Sequence, residues 1–155
     1  MPNAPAPLTV RPLREDEVDA VIRLWHATTR AAYPYLPTEQ AHTLADDTRF
    51  FREHILPRSD LWVAEDGGTL AGYLALQGSY VDRLYIHPDH QRRAAGSALM
   101  AHAKTLSPAG LELHTHQQNT RARAFYAKHG FREVKFGTSS PPESAPDVEC
   151  HWTPE

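Results

Sequence analysis

Leu84-Tyr85-Ile86-His87-Pro88-Asp89-His90 runs directly into Gln91-Arg92-Arg93-Ala94-Ala95-Gly96-Ser97-Ala98-Leu99. This order of residue types can hold an anion. A strand-like stretch reaches a tight turn and then a helix start, where the first N–H groups have no partner inside the helix and the dipole presents its positive end. Small side chains from Ala94 to Ala98 leave that backbone uncovered, so a phosphate could approach the amides directly, and Arg92 and Arg93 add positive charge. Helix propensity alone would also account for Ala94, Ala95 and Ala98. The weight therefore comes from a second segment one βα step downstream, Asn119 to Phe131, whose helix brings Tyr126 to the same end of the sheet.

Other reactive side chains are less informative. Of the ten histidines, His114 and His116 share one face of an expected strand, and His87 and His90 flank a turn. No HExxH or Cys/His cluster accompanies them, so they read as loop and surface histidines and no metal is expected. Cys150 is the single cysteine. It can form no internal disulfide, and it sits among strand residues, as a structural side chain would.

The elements that must position these groups follow from periodicity. Leu8 to Leu13 alternates as an edge strand with Pro12 near its end. A helix follows, with Glu15, Asp16 and Glu17 in its first turn, Val18, Val21, Ile22 and Trp25 on one face, and Pro34 as its stop. Thr38 is expected to cap a second helix over 39–56 with Leu44, Phe51 and Ile55 inward, after an aromatic loop over 32–37. Two strands over 60–65 and 69–76 form a hairpin at Asp66-Gly67-Gly68, and a further strand covers 80–86. A helix over 91–106 uses Leu99, Met100, Ala103 and Leu106 as its apolar face. The strand over 111–116 then completes a βαβ unit with parallel strands. Asn119 caps a last helix to about His129, Gly130 ends it, and strands over 131–136 and 147–152 close the chain around a surface loop. The order β-α-α-β-β-β-α-β-α-β-β predicts an α/β fold with helices on both faces of a mixed sheet.

With 155 residues, 41% hydrophobic and 23% charged, the chain reads as one globular domain over 1–155 with a disordered tail over 1–7. Sixteen Lys plus Arg against nineteen Asp plus Glu give −3, which argues against nucleic acid and anionic membrane as partners. No apolar run reaches ~18 residues and the start lacks a signal-peptide pattern, so a cytoplasmic location is expected.

The two coupled segments resemble motifs A and B of the GNAT superfamily of acyl-CoA-dependent N-acyltransferases, and the resemblance spans nearly the whole chain. Leu84-Tyr85-Ile86-His87-Pro88 matches the family's fourth strand, and Gln91-Arg92-Arg93-Ala94-Ala95-Gly96 matches the Gln/Arg-x-x-Gly-x-Gly/Ala opening of its pyrophosphate-binding helix. Ala94 departs from the usual glycine. The resemblance implies acetyl-CoA as co-substrate, with its diphosphate on residues 91–97, including Ser97. It also implies a splay between the fourth and fifth strands that receives the pantetheine arm along Leu84, Tyr85 and Ile86.

By the same resemblance, Asn119 bonds the pantetheine while also serving as a helix cap, and Tyr126 stands beside the thioester sulfur as proton donor. An amine acceptor must lose a proton. Asp82 is the first candidate base, on the face of Leu84, and His116 the second, while the resemblance also allows deprotonation through ordered water. Tyr33 and Tyr35 would line the acceptor pocket, with Trp25 explained by core packing. The implied activity is direct acetyl transfer to a primary amine of a small molecule or peptide. The alternative is a catalytically silent acyl-CoA-binding module of the same fold, which Ala94 leaves open, and a homodimer could pair through an edge strand such as the last.

Overall fold

The computed structural model describes residues 8–32, 41–90, 94–141 and 143–155. Seven strands form one sheet: β1 (Leu8–Pro12), β2 (Asp60–Asp66), β3 (Thr69–Gln77), β4 (Tyr80–Ile86), β5 (Leu111–His116), β6 (Arg132–Thr138) and β7 (Pro146–Trp152). Their spatial order is β1-β2-β3-β4-β5-β7-β6, antiparallel except where β4 meets β5. The last strand is therefore interior. The exposed edge on that side belongs to β6, which corrects the expectation that β7 could pair across a dimer.

Helix α1 (Val18–Ala32) places Val18, Val21, Ile22, Leu24 and Trp25 in the core. Its companion α2 (Leu44–Phe50) starts at a reciprocal cap. Thr43 Oγ1 accepts from the Asp46 N–H at 3.1 Å, and Asp46 Oδ2 accepts from the Thr43 N–H at 3.0 Å. The chain then widens into a π-turn over Phe51–Ile55, closed by Leu56 N–H donating to the Phe51 carbonyl at 2.9 Å, and this seats Phe51 and Ile55 in the core. Leu44, expected inward, is exposed instead, because it sits in the first helical turn beyond the reach of the sheet. Thr38 and Glu39 lie outside the described residues, and Thr43 is the cap that the structure supplies.

Helix α1 and the π-turn residues Phe51 and Ile55 pack on Val63, Tyr73 and Ala75 of one sheet face. On the other face α3 (Ala95–Leu106) buries Ala95, Leu99, Met100 and Ala103 against Leu74, Leu76, Leu113 and Val148, while Leu106 is exposed at the helix end. β3 lies between both layers, so its six central residues are buried regardless of alternation. The β2–β3 hairpin turns through Gly67 (φ 61°) and Gly68 (φ 87°), both in the left-handed region that this two-residue turn requires. α4 (Thr120–Lys128) is capped by Asn119, whose side chain accepts from the Ala122 N–H at 3.1 Å.

Cys150 is 1% exposed within the β5–β7 ladder, and burial pushes its thiol up to about 11. No helix among the described residues is long and apolar enough to cross a membrane.

Candidate active site

The opening of α3 is built from backbone. Ala94, its N-cap, holds φ 67° and ψ 4° in the left-handed region, which explains why glycine is the easier residue there. The first intrahelical bond runs from Ala98 N–H to the Ala94 carbonyl at 3.0 Å, so the amides of Ala95, Gly96 and Ser97 precede the helical ladder. A Cβ on Gly96 would lie 3.2 Å from the Phe125 ring and 3.5 Å from Ile86, so glycine lets α3 settle on both α4 and β4. Ser97 Oγ lies 3.1 Å from His129 Nε2. Burial, followed by Lys104 and Lys128, lowers the His129 pKa. Gln91, Arg92 and Arg93 lie outside the described residues.

Beside this opening β4 and β5 separate. They are in register only at Tyr80↔Glu112, where Glu112 N–H donates to the Ser79 carbonyl at 3.0 Å. On its other edge β4 continues along β3 as far as Ile86, and His87 N–H donates to the Ala71 carbonyl at 2.8 Å. Antiparallel alternation from that bond turns the peptide groups of Tyr85 toward β3 and those of Leu84 toward β5, into the gap. Leu84 and Ile86 side chains pack on the α3 side and Tyr85 on the α1 side.

Tyr126 is half-buried against Phe125 and Phe131, with ring centroids 5.4 and 5.6 Å away. Burial raises its phenol well above the usual tyrosine value, with smaller contributions from Tyr85, Cys150 and Tyr80. The phenol makes no hydrogen bond among the described residues. Asn119 uses its side-chain oxygen for the cap, which leaves its amide N–H groups for another acceptor.

Asp82 is displaced from the simple alternation. The β3–β4 register passes from Ala75↔Arg83 to Leu76↔Val81, so Asp82 is the extra residue of a β-bulge and does not share a face with Leu84 by two-residue spacing. Its Oδ2 is buried, accepts no hydrogen bond among the described residues, and lies 3.4 Å from Arg83 Nε. The Arg83 guanidinium stands over the Trp25 ring at 4.3 Å.

Arg83 and Trp25 form part of the wall of a cleft of about 610 Å³ between α1, α2 and the β6–β7 loop, together with Phe50, His42, Asp47 and Glu143. His116 reaches this cleft through Glu143, with Nε2 to Oε1 at 2.9 Å, and that contact holds the Glu143 carboxyl below its usual range. Sequence reasoning missed Asp47, which is 3% exposed and lies 2.6 Å from His26 Nδ1 and 3.5 Å from His42 Nδ1. The available signal was its position four residues before Phe51 and eight before Ile55, an acid on an apolar stripe. Tyr33 and Tyr35 lie outside the described residues.

Residues 57–133 match the family model of the acetyltransferase (GNAT) domain. Peptidyl-lysine N-acetyltransferase YjaB of Salmonella typhimurium is 33% identical over 126 residues, covering 81% of this chain and 83% of the relative. Its Escherichia coli namesake is 31% identical over the same length. The solution structure of apo YjaB from Escherichia coli superposes with a TM-score of 0.78 at 25% identity, covering 94% of this chain and 97% of that one. The PaiA N-acetyltransferase of Thermoplasma acidophilum, solved in complex with coenzyme A, shares the fold with a TM-score of 0.72 at 18% identity, over 96% of this chain and 99% of that one. Motif, fold and relatives agree, and the chain belongs to the GNAT family of acyl-CoA-dependent N-acetyltransferases.

Proposed function

We propose that this enzyme transfers the acetyl group of acetyl-CoA directly to the ε-amine of lysine in a peptide or protein. The observation that carries the reading is the β4–β5 gap, which opens beside the amides of Ala95, Gly96 and Ser97. These residues suit the co-substrate: a diphosphate fits uncovered amides at a helix opening, and an extended arm fits the backbone edge at Leu84. The acetyl thioester supplies the activated carbonyl. Lysine is favoured as acceptor by the relatives, which are peptidyl-lysine N-acetyltransferases.

Tyr126 keeps its proton at neutral pH, because burial raises its pKa, and gives it to the departing sulfur. Asn119 holds the arm through its amide, and the Leu84–Ile86 strand edge polarises the carbonyl where negative charge develops. The amine proton leaves toward the His116–Glu143 pair, because Glu143 lines the cleft whereas Asp82 is shielded by Arg83. No side-chain nucleophile takes part, in keeping with the burial of Cys150.

The test is incubation with acetyl-CoA and parallel panels of lysine peptides and small amines, read by mass spectrometry and thiol release. Acetylated lysine peptides are the expected product. Acetylation of small amines alone overturns the acceptor assignment, and coenzyme binding without turnover on any amine overturns the enzymatic reading. Replacement of His116 by Ala should lower turnover more than Asp82→Asn does, and the opposite order returns the role of base to Asp82.

A further inference from the structure

On the solvent face of the β5–β7 pair, four ligating side chains form a square. Glu112 stands directly across from His151, and His114 directly across from Glu149. Two-residue spacing sends all four out of one face, while Leu111, Leu113, Val148 and Cys150 fill the opposite face. The ligating atoms converge. Oxygens of Glu112 and Glu149 and a nitrogen of His151 lie within 4.8 Å of one another, and His114 Nε2 is 3.4 Å from Glu149 Oε1. His151 Nε2 lies 3.5 Å from Glu112 Oε2 and 2.7 Å from Glu149 Oε2.

Ligands around tetrahedral zinc at bonds of about 2.0–2.1 Å sit about 3.3 Å apart. The His151–Glu112 separation is already close to that value, and the His151–Glu149 one needs to widen by less than an ångström; His114 meets the other oxygen of Glu149, so its ring must turn toward these three to complete the set. A supporting contact lies behind the square. Tyr80 Oη is 3.0 Å from His114 Nδ1, so an Nδ1–H donated to the phenol directs the Nε2 lone pair toward Glu149.

We propose that His151, Glu112 and Glu149, completed by His114, bind one divalent zinc-class ion that clips β5 to β7. The two histidines and two carboxylates form a borderline donor set of the kind that zinc accepts. The sequence lacks a linear metal motif here because the ligands come from strands 35 residues apart and meet only through register. None of the four ligands lines the acetyl-transfer cleft, and none has a role in that reaction.

The test is isothermal titration of untagged, chelator-treated protein with zinc chloride, followed by cobalt substitution. One equivalent should bind, cobalt should show the intense visible bands of tetrahedral coordination, and His151→Ala should weaken binding at least about a hundredfold. Glu112→Gln, which preserves side-chain shape, should weaken it at least about tenfold and reports the site independently of any folding loss at His151. Tyr80→Phe should cost about tenfold through the His114 ring. His42→Ala should leave binding unchanged. Failure to bind a stoichiometric equivalent, or binding that survives both His151→Ala and Glu112→Gln, overturns the proposal, as does loss of the equivalent in His42→Ala.

Discussion

Tyr126 and Ala94 carry different kinds of consequence. The Tyr126 phenol has no hydrogen-bond partner among the described residues, so removing its oxygen should leave packing against Phe125 and Phe131 nearly intact. Tyr126→Phe is expected to lower kcat by about a hundredfold or more, the usual weight of a positioned acid, while the acetyl-CoA dissociation constant changes little. Steady-state kinetics beside a binding titration separates the two. Ala94 occupies a left-handed conformation at φ 67° that an L side chain tolerates at a cost of about 1 kcal/mol. Ala94→Gly should therefore raise unfolding stability by up to about 1 kcal/mol in denaturant melts, offset in part by the larger entropy of glycine in the unfolded chain. The identity of these two residues was legible in the motif. The cause of the glycine preference was not, since the left-handed dihedral belongs to the turn between β4 and α3 and leaves no periodic trace.

Elements meet at Gly96. Its missing side chain lets α3 rest on Phe125 of α4 and Ile86 of β4, where a Cβ would meet both. Gly96→Val should destabilise the fold by about 1–3 kcal/mol through overpacking and weaken acetyl-CoA binding together with it, as thermal melts with and without the coenzyme would report. The order of elements and the hairpin, the βαβ unit and the Asn119 cap could all be read from spacing, because each has a local signature. Two features could not. The bulge at Asp82 arises from pairing with β3, which no window of β4 alone encodes. The insertion of β7 between β5 and β6 depends on a long-range choice of neighbour. The site suffered in proportion: Asp82 lost its expected relation to Leu84, and Asp47 with its two histidines emerged only once α1 and α2 were packed.

Across the molecule, Arg11 joins three segments. Its guanidinium donates to both Glu17 oxygens at 2.7 Å and to Glu65 at 3.0 Å, linking β1 to the helical entry and to β2. The hydrogen bonds from Arg11 depress the Glu17 pKa from 4.5 to about 2. A carboxylate depressed in the folded state contributes stability that is fully present above its unfolded pKa and lost as pH falls through the folded one. The stability gap between wild type and Glu17→Gln should thus be roughly 1–2 kcal/mol at neutral pH and close between pH 4.5 and about 2 in urea titrations.

Burial of the sole thiol makes the folded protein invisible to sulfhydryl dyes. Reagents that colour released coenzyme A can consequently follow turnover in real time without a background from the catalyst itself, and a slow stoichiometric rise in a substrate-free cuvette would time the opening of the β5–β7 ladder.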